Sequence, residues 1–228
     1  MISGGAFQTA LRSAAILAAF TAVSAVALSG FHIWTRPMIE TSLRAKKTSA
    51  IAEVLPASLY DNDLFCDIFD PESIPEYPPN APAAVYRARK GGKPAALVVE
   101  TAANDGYGGK IGLLIGLRAD GTLIGVRVTE HHETPGLGDY IDLKKDKNRK
   151  RPWITQFDGL SLDNPPEREW KVKKDGGRFD SVAGATISPR AVVKAVRNTL
   201  KFVARHRDAL YDEKNVREEK GKRCDAPR

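Results

Sequence analysis

Between Ser13 and Thr35 the chain has no Asp, Glu, Lys or Arg, and Ala, Val, Leu, Ile and Phe make up most of the stretch. A helix of about 20 such residues matches the hydrocarbon thickness of a bilayer, and a helix apolar on every side has no polar face to turn toward water. The stretch predicts a single membrane-spanning helix. A cleavable signal peptide is the competing reading, which Ser29 and Gly30 suit as a cleavage region, but the apolar length exceeds a signal's apolar core. His32 and Trp34, near one end, fit the interfacial belt of an uncleaved anchor. Arg12 precedes the span, and Arg36, Arg44, Lys46 and Lys47 follow it. That count alone places the following domain inside, although long domains translocate largely regardless of such charges.

A chain of 228 residues leaves room for one core of domain size with appendages. Residues 1–10 form an N-terminal segment and 11–35 the anchor. Ile39, Leu43, Ile51 and Leu55 recur at helical spacings and predict a stalk up to Pro56. Pro71, Pro75, Pro78, Pro79 and Pro82 bring too many fixed φ angles and missing donors for regular structure, so 36–83 reads as stalk helix and linker. A folded domain is expected over 84–207 and a frayed helix end with a charged, mobile tail over 208–228.

Within the domain, Ala95 to Thr101 is a short apolar strand. Ile111, Leu113, Ile115 and Leu117 alternate with Gly112, Leu114 and Gly116, and Asp120-Gly121 turns the chain into Leu123 to Thr129. One face of this hairpin is a buried aliphatic face. The other, with Gly112, Gly116 and Gly125, admits a closely packed backbone or helix, or equally a flat ligand. Trp170 and Val172 alternate with Lys171 and Lys173, a further half-exposed strand that turns at Asp175-Gly176-Gly177. Ser188 as N-cap, Pro189 at the first helical position, and Val192, Val196, Leu200 and Val203 predict a last helix. Arg205, His206 and Arg207 close it favourably for the helix dipole. The class is α+β, with an antiparallel sheet and packed helices.

The formal net charge is +7, much of it in Lys144, Lys145, Lys147, Arg149, Lys150 and Arg151. That run lacks the aromatic interleaving that stacks bases, so it reads as a solvated loop, with lipid headgroups a lesser option and nucleic acid excluded as a partner. Two isolated cysteines, Cys66 and Cys224, make no metal-ligand pattern, and a disulfide between them is the minority reading.

Three clusters have chemistry to offer. Gly106-Tyr107-Gly108-Gly109 joins two strands, and alone it is an ordinary turn. His131-His132-Glu133-Thr134-Pro135-Gly136-Leu137-Gly138-Asp139 follows the hairpin; adjacent side chains on a strand end point apart, which disfavours a metal site, and Thr134 to Gly138 is a tight loop able to face a polar ring or a phosphate. Asp180-Ser181-Val182-Ala183-Gly184-Ala185-Thr186-Ile187-Ser188-Pro189 enters the last helix, where free amides and the dipole favour an anion, or where the chain simply turns. No serine or threonine there pairs with a histidine and a carboxylate as a hydrolase needs.

Taken together behind one anchor, Gly106-Tyr107-Gly108, Glu133 to Gly138 and Asp180 to Thr186 resemble the G subunit of the Rnf electron-transport complex. The resemblance covers the anchor and roughly residues 85–205 and extends to the related C subunit of the sodium-pumping NADH-quinone reductase. It implies an FMN-binding domain in which an Asp-x-x-Ser-Gly-Ala-Thr motif is read by a flavin transferase. That enzyme joins the phosphate of FMN to the final threonine, here Thr186, one flavin per chain. Asp180 matches the leading aspartate, Gly184 and Ala185 the small residues, and Ala183 stands where the family shows Ser or Thr. Tyr107, Gly108, Glu133, Thr134, Gly136, Leu137 and Ser188 would line the flavin. The resemblance further implies a carrier of electrons between NADH and ferredoxin, coupled to sodium or proton translocation. Its partners would be the A, B, C, D and E subunits, with the domain on the periplasmic side of a bacterial inner membrane. A membrane-anchored binding module without redox chemistry is the alternative from another class.

Overall fold

A computed structural model of the chain describes residues 4–70, 73–74 and 81–216. Four of the linker prolines, Pro71, Pro75, Pro78 and Pro79, together with Cys224, lie outside the described residues.

The first element, α1, runs from Gly4 to Ala52, 49 residues without a break at Arg36 or Pro37, so anchor and stalk are one helix. The stretch Leu11–Ala52 contains a window of mean hydropathy 2.0 and is long and apolar enough to cross a membrane. Ile16, Phe20, Val26 and Ile33 are all exposed along it, a surface that calls for lipid or protein cover.

The rest of the chain builds around a four-stranded antiparallel meander: β1 (Ala84–Lys90), β2 (Lys93–Gly106), β3 (Gly109–Arg118) and β4 (Leu123–Glu130), in the order β1-β2-β3-β4. The alternation read in β3 sets its two faces. Leu113 and Ile115, with Leu97 and Val99 of β2, pack beneath Val192, Val196 and Leu200 of α2 (Ile187–Arg205). Each such buried aliphatic side chain contributes about 1.5–3 kcal/mol, so α2 is held by this face rather than by its own propensity. On the opposite face Tyr86, Val98 and Leu114 pack with Ile51, Val54 and Leu55. There a Cβ on Gly116 would stand 2.1 Å from the Val54 carbonyl oxygen. At Gly116 the glycine face thus accommodates backbone and not a flat ligand.

Four expectations are corrected. The first strand, β1, was not foreseen, because Arg87 and Arg89 interrupt its apolar pattern. Arg87 is nevertheless buried, with its Nε 2.5 Å from Asp67, and Arg89 Nε lies 2.7 Å from the same carboxyl. Trp170 and Val172 do alternate inward, but they form no strand ladder: a single bridge joins Val172 to Phe179 between two short 3-10 turns. At the start of α2 the capping residue is Thr186 and not Ser188. Pro189 is therefore the third helical residue, still within the first turn, where a missing N–H costs nothing.

The fourth correction concerns the C-terminus. A short helix, α3 (Arg207–Tyr211), follows α2 and buries Leu210 completely. Beyond it Arg87 Nη1 donates to the Asp212 carbonyl at 2.5 Å and Asp70 N–H donates to the Asn215 carbonyl at 3.1 Å. These polar anchors have no apolar periodicity, so the segment read as mobile. Burial pushes the Tyr211 hydroxyl up to about 12 from its ordinary 10. A raised tyrosine favours folding below pH 10 and loses that contribution as pH climbs toward 12. Ultraviolet titration of the intact chain should accordingly show late tyrosinates from Tyr211 and the also raised Tyr140, and Tyr211→Phe should remove the one near about 12. Titration of Tyr211 at its ordinary value would mean that α3 is undocked.

Candidate functional site

The three motif segments meet through one carboxyl group. Glu133, only 4% exposed, follows the end of β4; its Oε1 accepts the Gly108 N–H at 3.1 Å and its Oε2 accepts the Ser188 hydroxyl at 2.5 Å. The β2–β3 tip, the loop after β4 and the first turn of α2 are thereby joined at a point. A Cβ on Gly108 would fall 2.1 Å from the His132 carbonyl oxygen, so only glycine permits the tip to approach this closely. The loop beyond Glu133 closes on itself, with the N–H groups of Leu137 and Gly138 both donating to the Thr134 carbonyl at 3.1 Å. Gly136 takes φ 76° there and gives its N–H to Asp139 Oδ1. His131 turns to accept the Glu133 N–H on Nδ1, while His132 is exposed. Among the described residues no three His, Cys, Asp or Glu side chains form a metal-holding group.

The segment entering α2 is held from below. Trp153 Nε1 donates to the Asp180 carbonyl at 2.6 Å, and the Asp180 N–H donates to Gln156 Oε1 at 2.9 Å. The Asp180 side chain itself is exposed and pairs with Lys173 at 2.5 Å, not with Thr186. From Val182 to Ala185 the chain makes a tight turn closed by a 3.0 Å hydrogen bond, with Gly184 at φ 83°. Thr186 then caps α2 in helical conformation without any side-chain capping bond. The residue is 8% exposed. No hydrogen bond of its hydroxyl is seen among the described residues, so the oxygen is uncommitted although the residue is largely buried. Ser188, by contrast, is 1% exposed and spends its hydroxyl on Glu133.

Outside α1, the large apolar side chains that stay exposed among the described residues are Tyr107, Leu137, Val182 and Ile187. Each lies on one of these three segments, and Tyr107 and Ile187 directly adjoin Gly108 and Ser188, the two residues that Glu133 joins. Tyr107 and Leu137 were named from the resemblance as flavin-lining residues; Val182 and Ile187 were not singled out. Tyr140, Trp153 and Gln156, which fix the segment entering α2, carry no signal in the sequence that separates them from ordinary core and loop residues.

Comparison with known proteins agrees with this arrangement. A protein-family model described as an FMN-binding domain matches residues 106–201, which include all three segments. A protein of Pseudomonas aeruginosa, named as the G subunit of an ion-translocating oxidoreductase complex, is 40% identical over 208 residues, covering 89% of this chain and 92% of the relative. Proteins of the same name from Vibrio atlanticus and Pectobacterium atrosepticum are each 39% identical, covering 86% of this chain and 90% of their own lengths. With its single apolar N-terminal helix and an FMN-binding domain behind it, the chain belongs to the family of G subunits of ion-translocating oxidoreductase complexes.

Proposed function

We propose that the chain is a covalently flavinylated electron carrier, with one FMN joined through its phosphate to Thr186 Oγ1. The observation that carries this reading is the uncommitted Thr186 hydroxyl at the N-cap of α2, next in the chain to exposed Ile187 and on one of the three segments that hold the large exposed apolar side chains of the described domain. The residues present fit the cofactor part by part. The first-turn amides of Ile187 and Ser188 have no intrahelical partner and, with the helix dipole, suit a phosphodiester anion. Tyr107, Leu137, Val182 and Ile187 offer aromatic and aliphatic surface to the isoalloxazine ring. The polar backbone at Gly108, Thr134 and Gly136 suits the ribityl chain. FMN supplies one- or two-electron chemistry, and the protein's part is to hold, orient and tune it.

A cavity of about 670 Å³ lies elsewhere, between β2 and α2, lined among others by Asp105, Lys194 and Phe202. The flavin on this reading rests on an open face, which suits exchange of electrons with neighbouring subunits. Those neighbours are the A, B, C, D and E subunits of a complex that moves electrons between NADH and ferredoxin while ions cross the membrane. Exposed Asp180, paired away from Thr186, suits recognition by a flavin transferase rather than activation of the acceptor. The domain lies on the periplasmic side of the bacterial inner membrane. The flanking charges do not oppose this side, because long domains translocate largely regardless of them.

The full chain, coexpressed with a flavin transferase and then denatured, should fluoresce at the protein band on a gel and gain the mass of one FMN ester. A module that merely held a phosphorylated ligand would lose it on denaturation. Absence of covalent flavin by both readouts overturns the proposal.

A further inference from the structure

We propose that Tyr140 is a positioning residue for flavin attachment: its hydroxyl locks the Val182–Ala185 turn so that Thr186 is presented in one geometry. This rests on the reading of Thr186 as the acceptor. Attachment forms a bond between Thr186 Oγ1 and phosphorus and breaks a phosphoanhydride bond of an activated donor, a flavin dinucleotide. The nucleoside monophosphate leaves with the electron pair, and the hydroxyl proton passes to a base on the transferase. A displacement of this kind demands an oriented nucleophile, and misplacement by about 1 Å costs roughly a hundredfold.

The turn has little of its own to hold it. Val182, Ala183 and Gly184 are exposed, and Gly184 brings the conformational freedom of glycine. One main-chain hydrogen bond closes it, from the Ala185 N–H to the Val182 carbonyl at 3.0 Å. Tyr140 adds two more with a single atom. Its oxygen accepts the Val182 N–H at 3.1 Å and donates to the Ala185 carbonyl at 3.0 Å, so both ends of the turn are tied to one point. That point is rigid. The half-buried Tyr140 ring meets Trp153 edge-on with centroids 5.9 Å apart, and Trp153 in turn holds the Asp180 carbonyl. Burial pushes the phenol's pKa upward, which keeps the proton needed for the bond to Ala185. The clamp thus spans the acceptor motif from Asp180 to the residue before Thr186, and phenylalanine at 140 would preserve the ring while removing both bonds.

The test is Tyr140→Phe in the full chain, prepared without transferase. Amide exchange at Val182 should quicken at least about tenfold, and melting should stay within a few degrees of wild type. When purified transferase is added with flavin dinucleotide, the transferase's KM for the chain should rise about tenfold. Loss of a preordered conformer lowers apparent affinity by the fraction that remains competent. The kcat should stay within about twofold, and the final extent of labelling should match wild type. A merely structural defect would lower the final extent and leave KM unmoved. Unchanged Val182 exchange overturns the inference, as does an unchanged KM in a variant whose exchange has quickened. Flavin retained by Thr186→Ala would overturn the attachment reading and this inference with it, a pattern distinct from failure of Tyr140→Phe alone.

Discussion

Thr186→Ala in the full chain is expected to fold with a melting temperature close to wild type and to carry no covalent flavin. The two halves of that expectation have separate causes. The Thr186 hydroxyl makes no capping bond, so its loss forfeits little of the roughly 1 kcal/mol that removing a capping threonine ordinarily costs. Chemistry, however, has no substitute nearby. Ser188, two residues on, is 1% exposed and bonded to Glu133 at 2.5 Å, so its oxygen is committed within the loop junction. Ser181 precedes the turn, five residues ahead of the α2 cap. Thr186→Ser keeps an oxygen on the same Cβ and should be labelled. In-gel fluorescence and intact mass of the three chains check the expectation; flavin on the alanine variant would move the attachment point elsewhere and remove the central reading.

Much of the fold was legible because it is periodic. The uncharged span from Ser13 matches a bilayer, the alternation at Ile111 to Leu117 matches a strand, and Val192, Val196, Leu200 and Val203 match one helical face. What escaped was held by polar contacts without periodicity. The strand β1 hides behind Arg87 and Arg89, whose burial depends on Asp67, twenty residues away in sequence. The docking of residues 207–216 depends on carbonyls accepting from Arg87 and Asp70. Ser188 looked like a cap because serine before proline at a helix start is a good cap. Its competing bond to Glu133, fifty-five residues upstream, is a tertiary fact that local preference does not encode.

The site divides in the same way. Its three segments stand out through glycine and small residues, yet their meeting is the work of Glu133 and Tyr140. Glu133 had drawn notice beside two histidines as a possible metal ligand, and the fold instead assigns it to an N–H and a hydroxyl. Tyr140 lies two residues past Gly138 and looks like any tyrosine in a loop. The exposure of Val182 and Ile187 is similarly invisible in a sequence, since nothing there distinguishes an exposed aliphatic side chain from a buried one.

Glu133→Ala should be the most damaging single change at the loop junction. It strands the Gly108 N–H and the Ser188 hydroxyl in a place where Glu133 itself is 4% exposed. Each buried polar group left without a partner costs about 1–3 kcal/mol, part of which water entering the vacated space recovers. A net loss of about 2–4 kcal/mol, or roughly 5–15 °C in melting temperature for a domain of this size, is the expected result. Glu133→Gln should recover most of it. The amide oxygen can still accept from Gly108, and the amide N–H can donate to Ser188, because a hydroxyl accepts as readily as it donates. Flavin attachment should persist in both variants, since the Thr186 turn is tied to Tyr140 and Trp153 rather than to Glu133. The flavin absorption spectrum should shift in the alanine variant alone, because only there do the loops carrying Tyr107 and Leu137 lose their common anchor. Thermal melts and absorption spectra of the flavinylated chains decide between this account and one in which Glu133 is dispensable: equal melting temperatures for alanine and wild type would show that the three segments are held together without it.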